Sequence, residues 1–61
     1  MTTTILIHQV QTLELTEPSS LVGNAGVFWT RKIYVTDIDG HKTEITLFAD
    51  NQESLEIKEL T

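Results

Sequence analysis

Residues 28 to 49 read FWTRKIYVTDIDGHKTEITLFA, two alternating runs of β-branched and aromatic side chains on either side of a turn signal. The pattern predicts a β-hairpin. Ile38, Asp39 and Gly40 make a three-residue loop with glycine last, which fits a type I turn closing on a left-handed residue. That loop sets Asp37 opposite His41, Val35 opposite Thr43, Ile33 opposite Ile45, Arg31 opposite Leu47 and Trp29 opposite Ala49. A slip of one residue would place Ile33 and Val35 against Thr46 and Glu44 and turn one strand's apolar set to the wrong side, so burial supports this register.

The two faces of the hairpin differ. One carries Trp29, Ile33, Val35, Ile45 and Leu47, with Arg31 as its charged intruder, and is expected to be core. The other presents Phe28, Thr30, Lys32, Tyr34 and Thr36 from the first strand with Glu44, Thr46 and Phe48 from the second. Rings set among hydroxyls and a lysine either stack on something outside the chain or are covered by another part of it, such as residues 5 to 15 or a partner chain.

Outward from the hairpin, residues 3 to 16, TTILIHQVQTLELT, favour strand, but their alternation slips. Ile5, Ile7, Leu13 and Leu15 share a parity that also holds Gln9 and Gln11, while Val10 points the other way. This predicts a bend, a bulge near His8 to Gln11, or two short strands. A helix through Leu6, Val10 and Leu13 is disfavoured by the β-branched content. Residues 17 to 26, EPSSLVGNAG, gather the single proline and two of the three glycines and read as a loop whose Leu21 and Val22 tuck under the sheet edge. GNAG is no phosphate loop, because it precedes a strand and not a helix. Past the hairpin, Asp50 and Glu53 have capping-box spacing, predicting one helical turn, and LEIKEL alternates as a short closing strand. The expected fold is therefore a single domain over residues 1 to 61, all-β or mainly β with one short helical turn. Its body is a small antiparallel four-stranded sheet or half-barrel built around residues 28 to 49.

A chain of 61 residues buries only about 60% of its unfolded surface, so its stability is marginal without outside support. With no cysteine it has neither disulfides nor thiolate metal sites, and what remains is a well-packed sheet or a second copy of itself. The net charge of −5 argues against coating nucleic acid through the overall field. Much of that charge lies beyond the hairpin, where Asp50, Glu53, Glu56 and Glu59 outnumber Lys58. No stretch approaches the ~18 apolar residues of a membrane helix, and MTTTILIHQV lacks the basic region of a secretory signal. The expected compartment is the cytoplasm.

Chemistry is sparse. Asp37, Asp39, His41 and Glu44 crowd the central turn, yet a calcium loop of that opening needs later oxygen ligands and a helix on each side, so no metal is expected. His41 with Asp37 could hold an ion only weakly, and the aspartates are explained by the turn itself. No serine sits in a nucleophile turn, and His8 reads as a half-buried strand residue or one at a subunit contact. Neither catalytic residues nor a cofactor are expected.

The stretch KIYVTDIDGHKTEITLF, residues 32 to 48, resembles the central hairpin of OB-fold nucleic-acid-binding modules. That resemblance implies a base-stacking face at Phe28, Lys32, Tyr34 and Phe48, although an OB-fold has five strands in a closed barrel and this chain supplies about four. As a whole, the short, acidic, cysteine-free chain is similar to small accessory proteins of bacteriophages and prophages. The leading expectation is a non-enzymatic module that binds a protein partner or itself as a homo-oligomer. Two others are a binder of single-stranded nucleic acid and an acidic nucleic-acid mimic that inhibits a host enzyme through its tail.

Overall fold

The computed structural model describes residues 1 to 60 and contains four strands in one open antiparallel sheet. They are β1 (Val10–Leu15), β2 (Ser19–Gly23), β3 (Gly26–Asp37) and β4 (Lys42–Ala49), followed by a 3-10 turn at Glu53–Leu55. The long β3 is the axis. Tyr34 pairs with both Glu14 and Glu44, and Thr30 with both Ser19 and Phe48, so β1 and β2 lie end to end along one edge of β3 while β4 takes the other.

The β3–β4 hairpin has the register that its sequence implies. Trp29 faces Ala49, Arg31 faces Leu47, Ile33 faces Ile45 and Val35 faces Thr43. The Asp37 amide donates to the His41 carbonyl at 3.0 Å, and Gly40, at φ +88°, donates to the Asp37 carbonyl at 3.0 Å to close the turn. Asp37 Oδ1 then accepts from the amides of Asp39 and His41 at 3.0 and 2.9 Å, which satisfies donors that the reversal would leave unpaired.

The slipped alternation before the hairpin is resolved by a bulge. Pairing shifts between Val10 and Thr12, Gln9 adopts φ +55°, and the Ile38 amide reaches the Gln9 carbonyl at 3.0 Å. The extra residue, Gln11, turns Val10 to the same side as Leu13 and Leu15, which the parity of an unbroken strand would forbid.

Three expectations are corrected. Residues 17 to 26 are not a loop covering the sheet edge: Ser19–Gly23 is a strand, and Gly23 pairs with Gly26 around Asn24 and Ala25. Gly26 holds φ +116° and supplies the same backbone reversal as Gly40. The segment LEIKEL does not add a strand, since the chain past Leu55 has none among the described residues. The capping box does not form either. Asn51 Oδ1 caps the turn instead, accepting from the amide and hydroxyl of Ser54, both at 2.9 Å.

Packing is thin. Val35 and Leu55 are the buried hydrophobic residues, at 7% and 8% exposure. The Trp29 face takes Leu13, Leu15, Ile33, Val35, Ile45 and Leu47 from three strands, and the Leu55 turn is fastened across it by Arg31. Leu13 and Leu15 remain exposed on it all the same. The Tyr34 face has no second layer among the described residues.

Candidate functional site

The four residues marked by the hairpin's polar side, Phe28, Lys32, Tyr34 and Phe48, share one face of the sheet, as their alternation on β3 and the Thr30–Phe48 pair require. The segment expected to roof them does not, because β1 lies beside β3 as its neighbour and not above it. His8, expected in a strand and half-buried, precedes β1 and is exposed.

This face divides into two ends. At one, Leu21 pairs with Phe28 across β2 and β3, and the Phe28 ring meets that of Phe48 at 6.0 Å between centroids, tilted by 41°. Such offset geometry suits the ring quadrupoles. Gly23 completes the surface: a Cβ there would stand 3.0 Å from the Phe28 ring, so the absence of a side chain lets the ring lie down over the hairpin. Phe28, Phe48, Ala49 and Asp50 line a shallow open depression of about 400 Å³. Phe48 is 69% exposed, which is high for a phenylalanine held on a regular strand.

The other end is polar and internally paired. Tyr34 lies between Glu14 and Glu44 across its two neighbouring strands. Lys42 Nζ sits 5.3 Å from the centre of the Tyr34 ring, and Lys32 Nζ reaches Glu44 at 3.8 Å. The Glu44 carboxylate, chiefly as acceptor for the phenol's proton, raises the pKa of Tyr34 above the usual tyrosine range, and partial burial and the same carboxylate's charge add to it. Each of the two lysines nearest Tyr34 thus has a partner within the face, one a carboxylate and one the ring. The structure brings Phe28 and Phe48 together and sets Lys32 and Tyr34 in a separate, self-satisfied cluster.

Asp37, Asp39 and His41 place potential ligand atoms within 4.8 Å of one another, and His41 Nδ1 stands 3.5 Å from Asp37 Oδ2. The two amides on Asp37 Oδ1 account for this arrangement as turn chemistry. They also hold the Asp37 pKa below the usual carboxylate range, the His41 amide acting most strongly.

Compared with protein-family models, curated proteins and solved structures, the chain matches none. No helix among the described residues is long and apolar enough to cross a membrane. The contribution of Leu21 and Gly23 to the aromatic end is hidden in the sequence because both fall in a proline- and serine-rich stretch with the composition of a loop. The signal that finds them is Asn24 and Ala25 held between Gly23 and Gly26, a two-residue hairpin loop flanked by glycines.

Proposed function

We propose that this protein is a non-enzymatic interaction module whose working surface is the Leu21, Phe28 and Phe48 end of the open face, and that its ligand is another protein. The observation that carries this reading is Phe48: a phenylalanine 69% exposed, set against the tilted ring of Phe28 and rimmed by Asp50, offers an apolar anchor point. Aromatic side chains clustered at a patch and bordered by polar groups are the composition of a protein contact. The chain's charge of −5, much of it just beyond β4, favours a partner that sets an apolar side chain beside basic ones.

Single-stranded nucleic acid fits this surface less well. Stacking on bases requires a cation nearby to meet phosphate. Here the tyrosine lies between two glutamates, and Lys32 and Lys42 are engaged by Glu44 and the Tyr34 ring.

The test is capture from a bacterial lysate with immobilised wild-type protein and the Phe48→Ser variant, each with and without nuclease. A protein retained by the wild type after nuclease treatment and lost with Phe48→Ser supports the reading. Capture that disappears with nuclease transfers the surface to nucleic acid, and identical retention by both proteins removes Phe48 from it.

A further inference from the structure

The opposite face raises a separate question, because the chain is far from compact. A folded monomer of 6.9 kDa is expected to expose about 4,000 Å². This one exposes 5387 Å², a surplus of about 1,400 Å² by the same scaling. Its radius of gyration is 13.8 Å, against about 10.5 Å for a compact domain of this length. Residues 1 to 9, which precede β1, hold part of that surplus. Residues 56 to 60, beyond the 3-10 turn, hold another part, and the sheet contributes as well: Leu13 is 62% exposed and Val22 83%, and Leu15, Val27 and Leu47 are also exposed, all on the Trp29 side.

Charge decides which side of the sheet can be covered. Any association of two chains at −5 each is opposed wherever carboxylates meet, and the Tyr34 face carries Glu14 and Glu44. On the Trp29 face the paired residues carry one carboxylate, Asp37, at the turn end, and its Oδ1 already accepts from the amides of Asp39 and His41. Its cation, Arg31, keeps its charge, but its donors are engaged by the carbonyls of Thr16 and Leu55 at 2.8 and 2.7 Å. The apolar stretch that runs through Leu13, Leu15, Val22 and Val27 is the area two copies can bring together with Asp37 left at its margin.

We propose that a second copy of this chain covers the Trp29 face, the two sheets packing apolar face to apolar face about a two-fold axis. The surplus area matches what such a contact needs, since a stable interface removes about 800 Å² from each partner. Two sheets stacked at about 10 Å form a two-layer sandwich with an interior that one sheet lacks. A second copy is present wherever the chain is made, and the isologous contact asks for one self-complementary patch. The Phe28 and Phe48 end stays on the outside, so this assembly neither requires nor excludes a ligand there.

Sedimentation equilibrium of the wild type, Leu13→Arg and Phe48→Ser tests the assembly. The wild type and Phe48→Ser should sediment at twice 6.9 kDa. Leu13→Arg, altering a side chain already exposed within one chain, should weaken the dimer by at least tenfold. A folded wild type of single-chain mass at every concentration overturns the proposal, as does association that survives Leu13→Arg unchanged or is lost with Phe48→Ser alone. Should Leu13→Arg fail to fold, the wild-type melting temperature over about a hundredfold range of concentration decides: a midpoint that climbs supports the dimer, and a constant one overturns it.

Discussion

The guanidinium of Arg31 ties the C-terminal turn to the sheet: its Nη1 donates to the carbonyl oxygen of Leu55 at 2.7 Å, while its Nε donates to that of Thr16 at 2.8 Å. No strand pairing connects these segments. Thr16, at the β1–β2 junction, also bonds the Lys32 backbone through its amide and hydroxyl, both at 3.0 Å, and Arg31 links this junction to the 3-10 turn that seats Leu55. The charged residue on the apolar face is thus a clip that lets Leu55 reach 8% exposure.

Arg31→Met keeps much of the side chain's bulk and removes both hydrogen bonds. Bonds from a charged donor contribute about 1.5–3 kcal/mol, so the expected loss is about 2 kcal/mol. For a domain of this size that lowers the thermal midpoint by roughly 10 °C. Arg31→Lys should recover only part of it, because a single ammonium cannot fork to two carbonyls. Thermal melts by circular dichroism check the order. Equal midpoints for the wild type and Arg31→Met would show that Leu55 is seated by packing alone.

The three glycines should respond differently to alanine. At Gly26 and Gly40, φ is +116° and +88° and a Cβ would meet nothing within 4 Å, so any cost comes from the backbone alone. It is expected at about 1–2 kcal/mol for each. Gly40→Asn should cost less than Gly40→Ala, as asparagine tolerates the left-handed region better. Gly23→Ala has no such strain but presses a methyl on the Phe28 ring at 3.0 Å. The ring lies at the surface and can give way, so stability should fall less while the Phe28–Phe48 contact loosens. Urea denaturation ranks the variants, and a Gly23→Ala loss exceeding the other two would contradict this account.

Those glycines also mark what could be read in the sequence. At Ile38 to Gly40 the loop lies between two strongly alternating strands, and hairpin, register and the division of Trp29 from Tyr34 all follow. At Asn24 and Ala25 a shorter, two-residue loop is preceded by a strand of only five residues, whose Ser19 and Ser20 resemble a linker, so composition hides a ladder that backbone pairing makes plain. LEIKEL misled in the opposite direction. Its alternation suits a strand, yet both edges of β3 are already paired, and Arg31 draws Leu55 onto the face of the sheet. The aromatic patch was legible as residues and not as a surface. Its exposure depends on β1 lying beside β3, a fact of topology that local pattern does not encode.

Acid should loosen the central turn through Asp37. Its pKa is lowered in the folded state, above all by the His41 amide, so the carboxylate's contribution is fully present above the ordinary aspartate range. It is lost as pH falls below about 4 and passes the lowered folded value. Asp37→Asn retains an oxygen to accept the same two amides but cannot titrate. Urea midpoints measured from neutral pH downward should therefore fall more steeply in the wild type than in Asp37→Asn. Parallel curves would mean that Asp37 does not sense acid through this turn.

Tyr34 offers the mirror-image test in alkali. Its pKa is raised, first by Glu44 as acceptor, and Lys32 acts in the opposite sense. A raised folded value means that the phenol's contribution is intact below about pH 10 and disappears as pH climbs through the folded value. Because the chain has one tyrosine, phenolate absorbance reports this group alone. Glu44→Gln should bring the midpoint down toward that of an ordinary tyrosine, and Lys32→Gln should move it further up. The two shifts have opposite signs on one chromophore, so a general loosening of the sheet cannot imitate both. If Glu44→Gln left the titration where it was, Glu44 would not be the acceptor for the phenol's proton, and the paired character of this end of the face would be lost.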